Sequence, residues 1–124
     1  MNACENALSI LKDYFNSITS SKMRYYGEPW DTWDNCSTGI KGPCIYFLYK
    51  DNNDHKPIYI GETINLGKRL NEHKNVKDWG NTWNYVRYIN EPLLENGQFR
   101  QLFECFCIYL LEPDDNNERR SNKV

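Results

Sequence analysis

The sequence predicts a small α+β domain, a three-stranded antiparallel sheet with helices around it. Three observations carry this. Apolar residues recur at three- and four-residue spacing near the N-terminus. Two short runs rich in aromatic and β-branched residues flank a polar turn. A strongly apolar segment then precedes Pro113 near the C-terminus.

Each element has its own signal. Residues 5–18 read as an amphipathic helix, with Leu8, Leu11, Phe15 and Ile18 on one stripe. Residues 17–43 are polar and hold Gly27, Pro29, Gly39, Gly42 and Pro43, which marks a long irregular connection. It contains Trp30 and Trp33, whose expected role is to pack the loop onto the domain. Residues 44–49, Cys-Ile-Tyr-Phe-Leu-Tyr, form the first predicted strand, and Asp51-Asn52-Asn53-Asp54 is a turn. Residues 57–61 make the second strand of the hairpin, ending at Gly61. Asn65 then caps a helix over 66–76. Residues 83–90 alternate as a third strand, and residues 98–111 form a helix stopped by Pro113. Residues 114–124 are a polar tail expected to fray. The expected organisation is an N-terminal helix and extension (1–41), a core (42–117) and a tail (118–124).

Composition bounds the function. At 124 residues the chain is sized for one domain, which buries roughly two-thirds of its unfolded surface. Hydrophobic residues make up 40% and charged residues 26%, a globular rather than disordered balance. The net charge of −2 weighs against a large DNA-holding surface built on phosphate contacts alone. It leaves room for an enzyme with a local metal. The five cysteines are an odd number, and the N-terminus has no basic start followed by an apolar run. Reduced thiols in a cytoplasmic protein are expected. No Cys-x-x-Cys pair suggests zinc, and Cys105 and Cys107 fall on different sides of a helix. No apolar stretch approaches the roughly 20 residues needed to span a membrane.

The chemistry-bearing residues lie close together. Tyr46 and Tyr59 sit on neighbouring strands of the predicted hairpin. Gly61 lets the backbone turn or a ligand approach. Arg69 and His73, four apart, share a helix face that also carries Glu72. Arg69 offers a permanently charged planar fork suited to a phosphate; the plainer alternative is a salt bridge with Glu72 or Glu62. Glu104 stands on an otherwise apolar helix, where a carboxylate is costly unless paired, exposed or bound to a metal. Lys68 and Lys74 are either phosphate contacts or solvated charges.

These residues resemble the core of the GIY-YIG nuclease superfamily. Cys44-Ile45-Tyr46 matches the first element and Tyr59-Ile60-Gly61 the second. Gly61-Glu62-Thr63 and Asn65-Leu66 follow as they commonly do in the family, and Arg69 takes the place of its arginine. Cys44 stands where the family has glycine, and residues 1–41 have no counterpart. The resemblance implies a metal-dependent endonuclease cleaving DNA, double-stranded by expectation, with one Mg²⁺ or Mn²⁺ held mainly by Glu104. It implies catalytic roles for Tyr46, Tyr59, Arg69 and Glu104, with Asn116 or Asn117 completing the site; His73, by its own chemistry, is either a proton-sharing or phosphate-contacting catalytic residue or an ordinary surface histidine. Tyr46 is the candidate base, Tyr59 orients water or phosphate, and Gly61, Lys68 and Lys74 contact substrate. A homodimer would supply recognition surface that so short a chain lacks. Two readings compete: a catalytically weak nucleic-acid-binding module of the same fold, and a protein-interaction domain with Trp30, Trp33, Trp79 and Trp83 on its surface.

Overall fold

The run from Cys44 to Tyr49 is buried at every position, and that sets the architecture. A strand with both faces covered needs a layer on each side. In the computed structural model, which describes residues 2–21, 24–25, 41–51, 54–76, 79 and 82–116, this strand is β2 (Lys41–Tyr49). It follows α1 (Ala3–Ser21) and β1 (Arg24–Tyr25). After it come β3 (Tyr59–Asn65), α2 (Leu66–Lys74), β4 (Tyr85–Ile89), a 3₁₀ turn (Pro92–Glu95) and α3 (Gly97–Leu111).

The sheet is antiparallel with strand order β1-β4-β2-β3. The three expected strands are present, and the two-residue β1 adds a short fourth beside β4. In the register, Tyr46 faces Gly61 on one side and Tyr88 on the other. Alternation along β2 sorts the core into two. Ile45, Phe47 and Tyr49 join Ile60, Phe103, Phe106 and Cys107 beneath α3 and α1. Cys44, Tyr46 and Leu48 join Tyr59, Leu66, Leu70, Trp79 and Trp83 on the α2 face. α1 lies on α3 through Tyr14 and Phe15, the Tyr14 and Phe103 ring centroids being 5.1 Å apart. Leu8, expected on the buried stripe, is exposed.

Several expectations need correction. The second strand does not end at Gly61; β3 runs on to Asn65 because residues 61–65 stay paired with β2 as far as Lys41. α2 ends at Lys74 rather than residue 76, and β4 is shorter than 83–90. Trp79 and Trp83 are buried, so they form no adhesive surface. Trp30 and Trp33 lie outside the described residues. The start of the expected frayed tail is instead docked. The Asp115 amide donates to the Ile58 carbonyl at 2.8 Å, Trp79 Nε1 donates to Asp115 Oδ2 at 2.7 Å, and Lys56 pairs with Asp114 at 3.2 Å.

Candidate active site

β3 is an edge strand, and the site is built around it. Tyr46 projects from the inner strand β2 on the α2 face and shares that face with its cross-strand partner Gly61. Its ring lies across Gly61: a Cβ at that position would meet Tyr46 Cζ and Oη inside van der Waals contact, and Cε1 at 2.7 Å. The glycine is thus required by close approach, and its φ is not positive. Tyr59, two residues earlier on β3, stands beside Tyr46 with ring centroids 6.2 Å apart.

α2 supplies the next layer. The Asn65 side chain accepts a hydrogen bond from the Lys68 amide, so the helix starts directly where β3 ends. Leu66, Leu70 and His73 are its buried stripe. His73 reaches through the second core, and its Nε2 lies 2.5 Å from the Tyr46 hydroxyl. Its ring is held edge-on by Tyr59 and Trp79, at 5.1 and 4.9 Å between centroids. Arg69, one turn before His73, pairs with Glu72 at 2.9 Å and keeps partial exposure. Its charge is reinforced by neighbours: burial alone would weaken it, but Tyr46 and Glu72 hold the guanidinium firmly protonated.

α3 closes the site from the other face of the sheet. Asn96 caps it by accepting from the Phe99 amide at 2.9 Å. Phe103, Phe106 and Cys107 are buried against the sheet, and Glu104 is nearly so at 9% exposure. Tyr46, Tyr59, Gly61, Glu62, Arg69, Gln101, Glu104 and Cys105 line one cavity of about 460 Å³. It straddles the β3 edge, with the tyrosines and Arg69 on one side and Glu104 on the other. A second cavity of about 290 Å³ lies past Arg69 and includes Thr63, Asn65 and Lys68.

The structure therefore brings Tyr46, Tyr59, Gly61, Arg69 and Glu104 to one cavity, with His73 directly behind Tyr46. Lys68 belongs to the neighbouring cavity, and Lys74 lines neither. Asn116 is at the other side of Ile60. It is buried, accepts from the Ile60 amide at 2.8 Å and donates to the Ile60 carbonyl at 2.7 Å. It thus satisfies both backbone groups on the free edge of β3 between Tyr59 and Gly61. Asn117 lies outside the described residues. Sequence reasoning missed Arg100, whose Nε donates to Glu62 at 2.6 Å and whose Nη1 donates to the Leu94 carbonyl at 2.8 Å. The available signal was its spacing, one helical turn before Glu104.

The electrostatics of Tyr46 limit what it can do. Burial raises its phenol well above the ordinary value of about 10, and Tyr59 pushes the same way. The Arg69 guanidinium opposes this without overcoming it. Tyr46 is therefore a neutral phenol at physiological pH. Cys44, where a glycine was expected, is fully buried beside it, and burial pushes its thiol up to about 12.

Comparison with characterised proteins and with solved structures returns no match. A family model described as the GIY-YIG catalytic domain matches residues 42–100. That span runs from β2 into the first turn of α3 and holds Tyr46, Tyr59, Gly61, Arg69 and His73, while Glu104 and Asn116 lie beyond it. No helix among the described residues is long and apolar enough to cross a membrane. The match, over β2, β3, α2 and β4, supports membership of the GIY-YIG nuclease superfamily.

Proposed function

We propose that this protein is a divalent-metal-dependent endonuclease that hydrolyses phosphodiester bonds of double-stranded DNA. The observation that carries the reading is the Tyr46 hydroxyl bound to His73 Nε2 at the wall of a cavity that Arg69 and Glu104 share. A phosphodiester resists water, so hydrolysis needs a nucleophile stripped of its proton and charge to offset the anion.

A phenol pushed up by burial is a poor base by itself, but not in a relay. With His73 accepting at Nε2, Tyr46 donates its own proton inward. Its oxygen lone pair then accepts a proton from a water that reaches the buried hydroxyl once Arg69 turns from it to the phosphate. One proton enters Tyr46 as another leaves to His73, and no phenolate has to form. The Tyr59 hydroxyl orients the water or the phosphate. Arg69 faces the phosphate oxygens with its planar fork, exchanging its contact with Glu72 for the stronger anion.

The residues fit a hard divalent cation. Glu104 places an oxygen donor at the wall of a cavity with room for an ion and retained waters. Glu104 would hold one Mg²⁺ or Mn²⁺, and the ion would supply positive charge against the phosphate and the leaving oxygen. Asn116 acts as a positioning residue, holding the backbone between Tyr59 and Gly61.

The test is incubation with supercoiled plasmid across several metals, followed by mapping of the cut ends. Nicking or cleavage with Mg²⁺ or Mn²⁺, stopped by EDTA, is expected. Glu104→Ala and Arg69→Ala should each lose on the order of 100-fold or more in rate. Variants that cleave as well as the parent would overturn the assignment. DNA binding that weakens with salt but shows no turnover would instead favour a binding module.

A further inference from the structure

The two cavities beside β3 lie in line. Tyr59 and Gly61 line the first, Thr63 and Asn65 the second, and Arg69 stands in the wall of both. Positions two apart on a strand share a face. Gly61 and Thr63 therefore both face α2, as their cross-strand partners Tyr46 and Cys44 do. A two-residue step moves about 7 Å along a strand, so the second cavity follows the first at a short, fixed interval. Its lining holds two cations, Lys68 and Arg69, and one carboxylate, Glu72. Glu72 is committed to Arg69 at 2.9 Å, and a lysine four residues before a glutamate is the weaker ordering on a helix. Lys68 is exposed and makes no ion pair among the described residues. Its backbone is fixed: the Lys68 amide donates to Asn65 Oδ1 at 3.2 Å, and the Asn65 amide donates to Thr63 Oγ1 at 3.0 Å.

We propose that the second cavity is a subsite for the backbone phosphate next to the scissile one, with Lys68 as its contact and Arg69 as the boundary between the two. The proposal rests on the endonuclease reading above. A DNA strand laid along β3 puts the scissile phosphate against Arg69 and the tyrosine wall. The next phosphate then falls at Thr63, Asn65 and Lys68, one nucleotide step away. When the Arg69 fork turns to the scissile phosphate it leaves Glu72. That side chain is already 49% exposed, so it passes to water at little cost. Lys68 then offers a point charge on a flexible stem, which suits a backbone phosphate in any sequence. The subsite gives a chain of net charge −2 a local hold on its anionic substrate. It sets the register of the strand over the site without reading a base.

The experiment uses duplex oligonucleotides spanning the mapped cut, each with one neutral methylphosphonate at the phosphate on one side of it or the other. Binding is read by fluorescence anisotropy without divalent metal, so that nothing is cut. For the parent, one of the two substitutions should weaken binding on the order of tenfold. Lys68→Gln should weaken binding of the unmodified duplex by a similar factor and lower the salt slope by about 0.9. In Lys68→Gln the same methylphosphonate should cost less than about twofold more, because its partner is already gone. At the other neighbour the two losses should add. Additive losses at both neighbours overturn the proposal, as does an unchanged salt slope. Lys50→Gln, at the opposite end of the β2–β3 pair, should couple to neither phosphate; coupling equal to that of Lys68 would overturn the placement. A parent that binds DNA, loses salt slope in Lys68→Gln and cuts nothing refutes the hydrolytic reading while keeping the phosphate contact. A parent that cuts DNA with no coupling at either neighbour refutes only the subsite.

Discussion

Gly61→Ala tests the geometry of the site with one methyl group. The backbone at Gly61 is not left-handed, so alanine adds no torsional strain. Its whole effect comes from what the new Cβ meets. The three nearest atoms all belong to Tyr46: Cζ and Oη inside contact distance, and Cε1 at 2.7 Å. A free side chain would swing away, but the Tyr46 ring is fully buried and its hydroxyl is held by His73 at 2.5 Å. Either the ring moves and gives up His73, or β3 moves away from β2. Overpacking of this kind costs about 1–3 kcal/mol. For a domain of this size that lowers Tm by about 4–12 °C. A catalytic group displaced by about 1 Å loses on the order of 100-fold in rate. Thermal unfolding and single-turnover cleavage of plasmid measure both quantities on one preparation. A double-mutant cycle isolates the cause, because in a Tyr46→Leu background the alanine should lose most of its stability penalty. A Gly61→Ala protein with parental Tm and a rate within about twofold of the parent would refute the close approach. A penalty unchanged by Tyr46→Leu would show that the methyl meets something other than Tyr46.

Three further outcomes follow from the same contacts. Asn116→Ala strips two hydrogen bonds from the buried Ile60 backbone. It should cost about 2–4 kcal/mol in urea unfolding; a loss under about 0.5 kcal/mol would mean that water replaces the side chain. Folded-state values are raised for Tyr46, Cys44 and Cys107, so the unfolded chain releases these protons first. Their contribution to stability is whole below the ordinary thiol range and is lost as pH climbs from about 9 upward. Urea midpoints should fall from pH 8 to pH 10, and a flat or rising series would contradict the assignment. Cys4 and Cys105 are exposed whereas Cys44 and Cys107 are buried. Iodoacetamide at pH 8 should therefore label the first pair in the native protein and spare the second until it unfolds; equal labelling of all four would refute the packing around β2.

The sequence by itself determined the periodic and local features. The unbroken apolar run of β2, the Asn65 cap of α2 and the α3 helix before Pro113 all follow from neighbouring residues, and all are present. The i,i+4 face joining Arg69 to His73 is local too, and so was legible. The motif around Tyr59-Ile60-Gly61 is contiguous in the chain, so family membership is legible without any knowledge of packing. What tertiary structure decided depends on residues far apart in the chain. That Gly61 serves the Tyr46 ring rather than a turn follows from the β2–β3 register, which no local pattern contains. The docking of residues 114–116 depends on Ile58, Ile60 and Trp79, whose backbone and indole groups need partners that only the folded edge strand brings near. On sequence grounds Arg69 could pair with Glu72 or Glu62; the fold gives it Glu72, and the packing of α3 against β3 gives Glu62 to Arg100. Charge partners are chosen by three-dimensional proximity, so composition and spacing can name the candidates, but only the fold assigns the pairs.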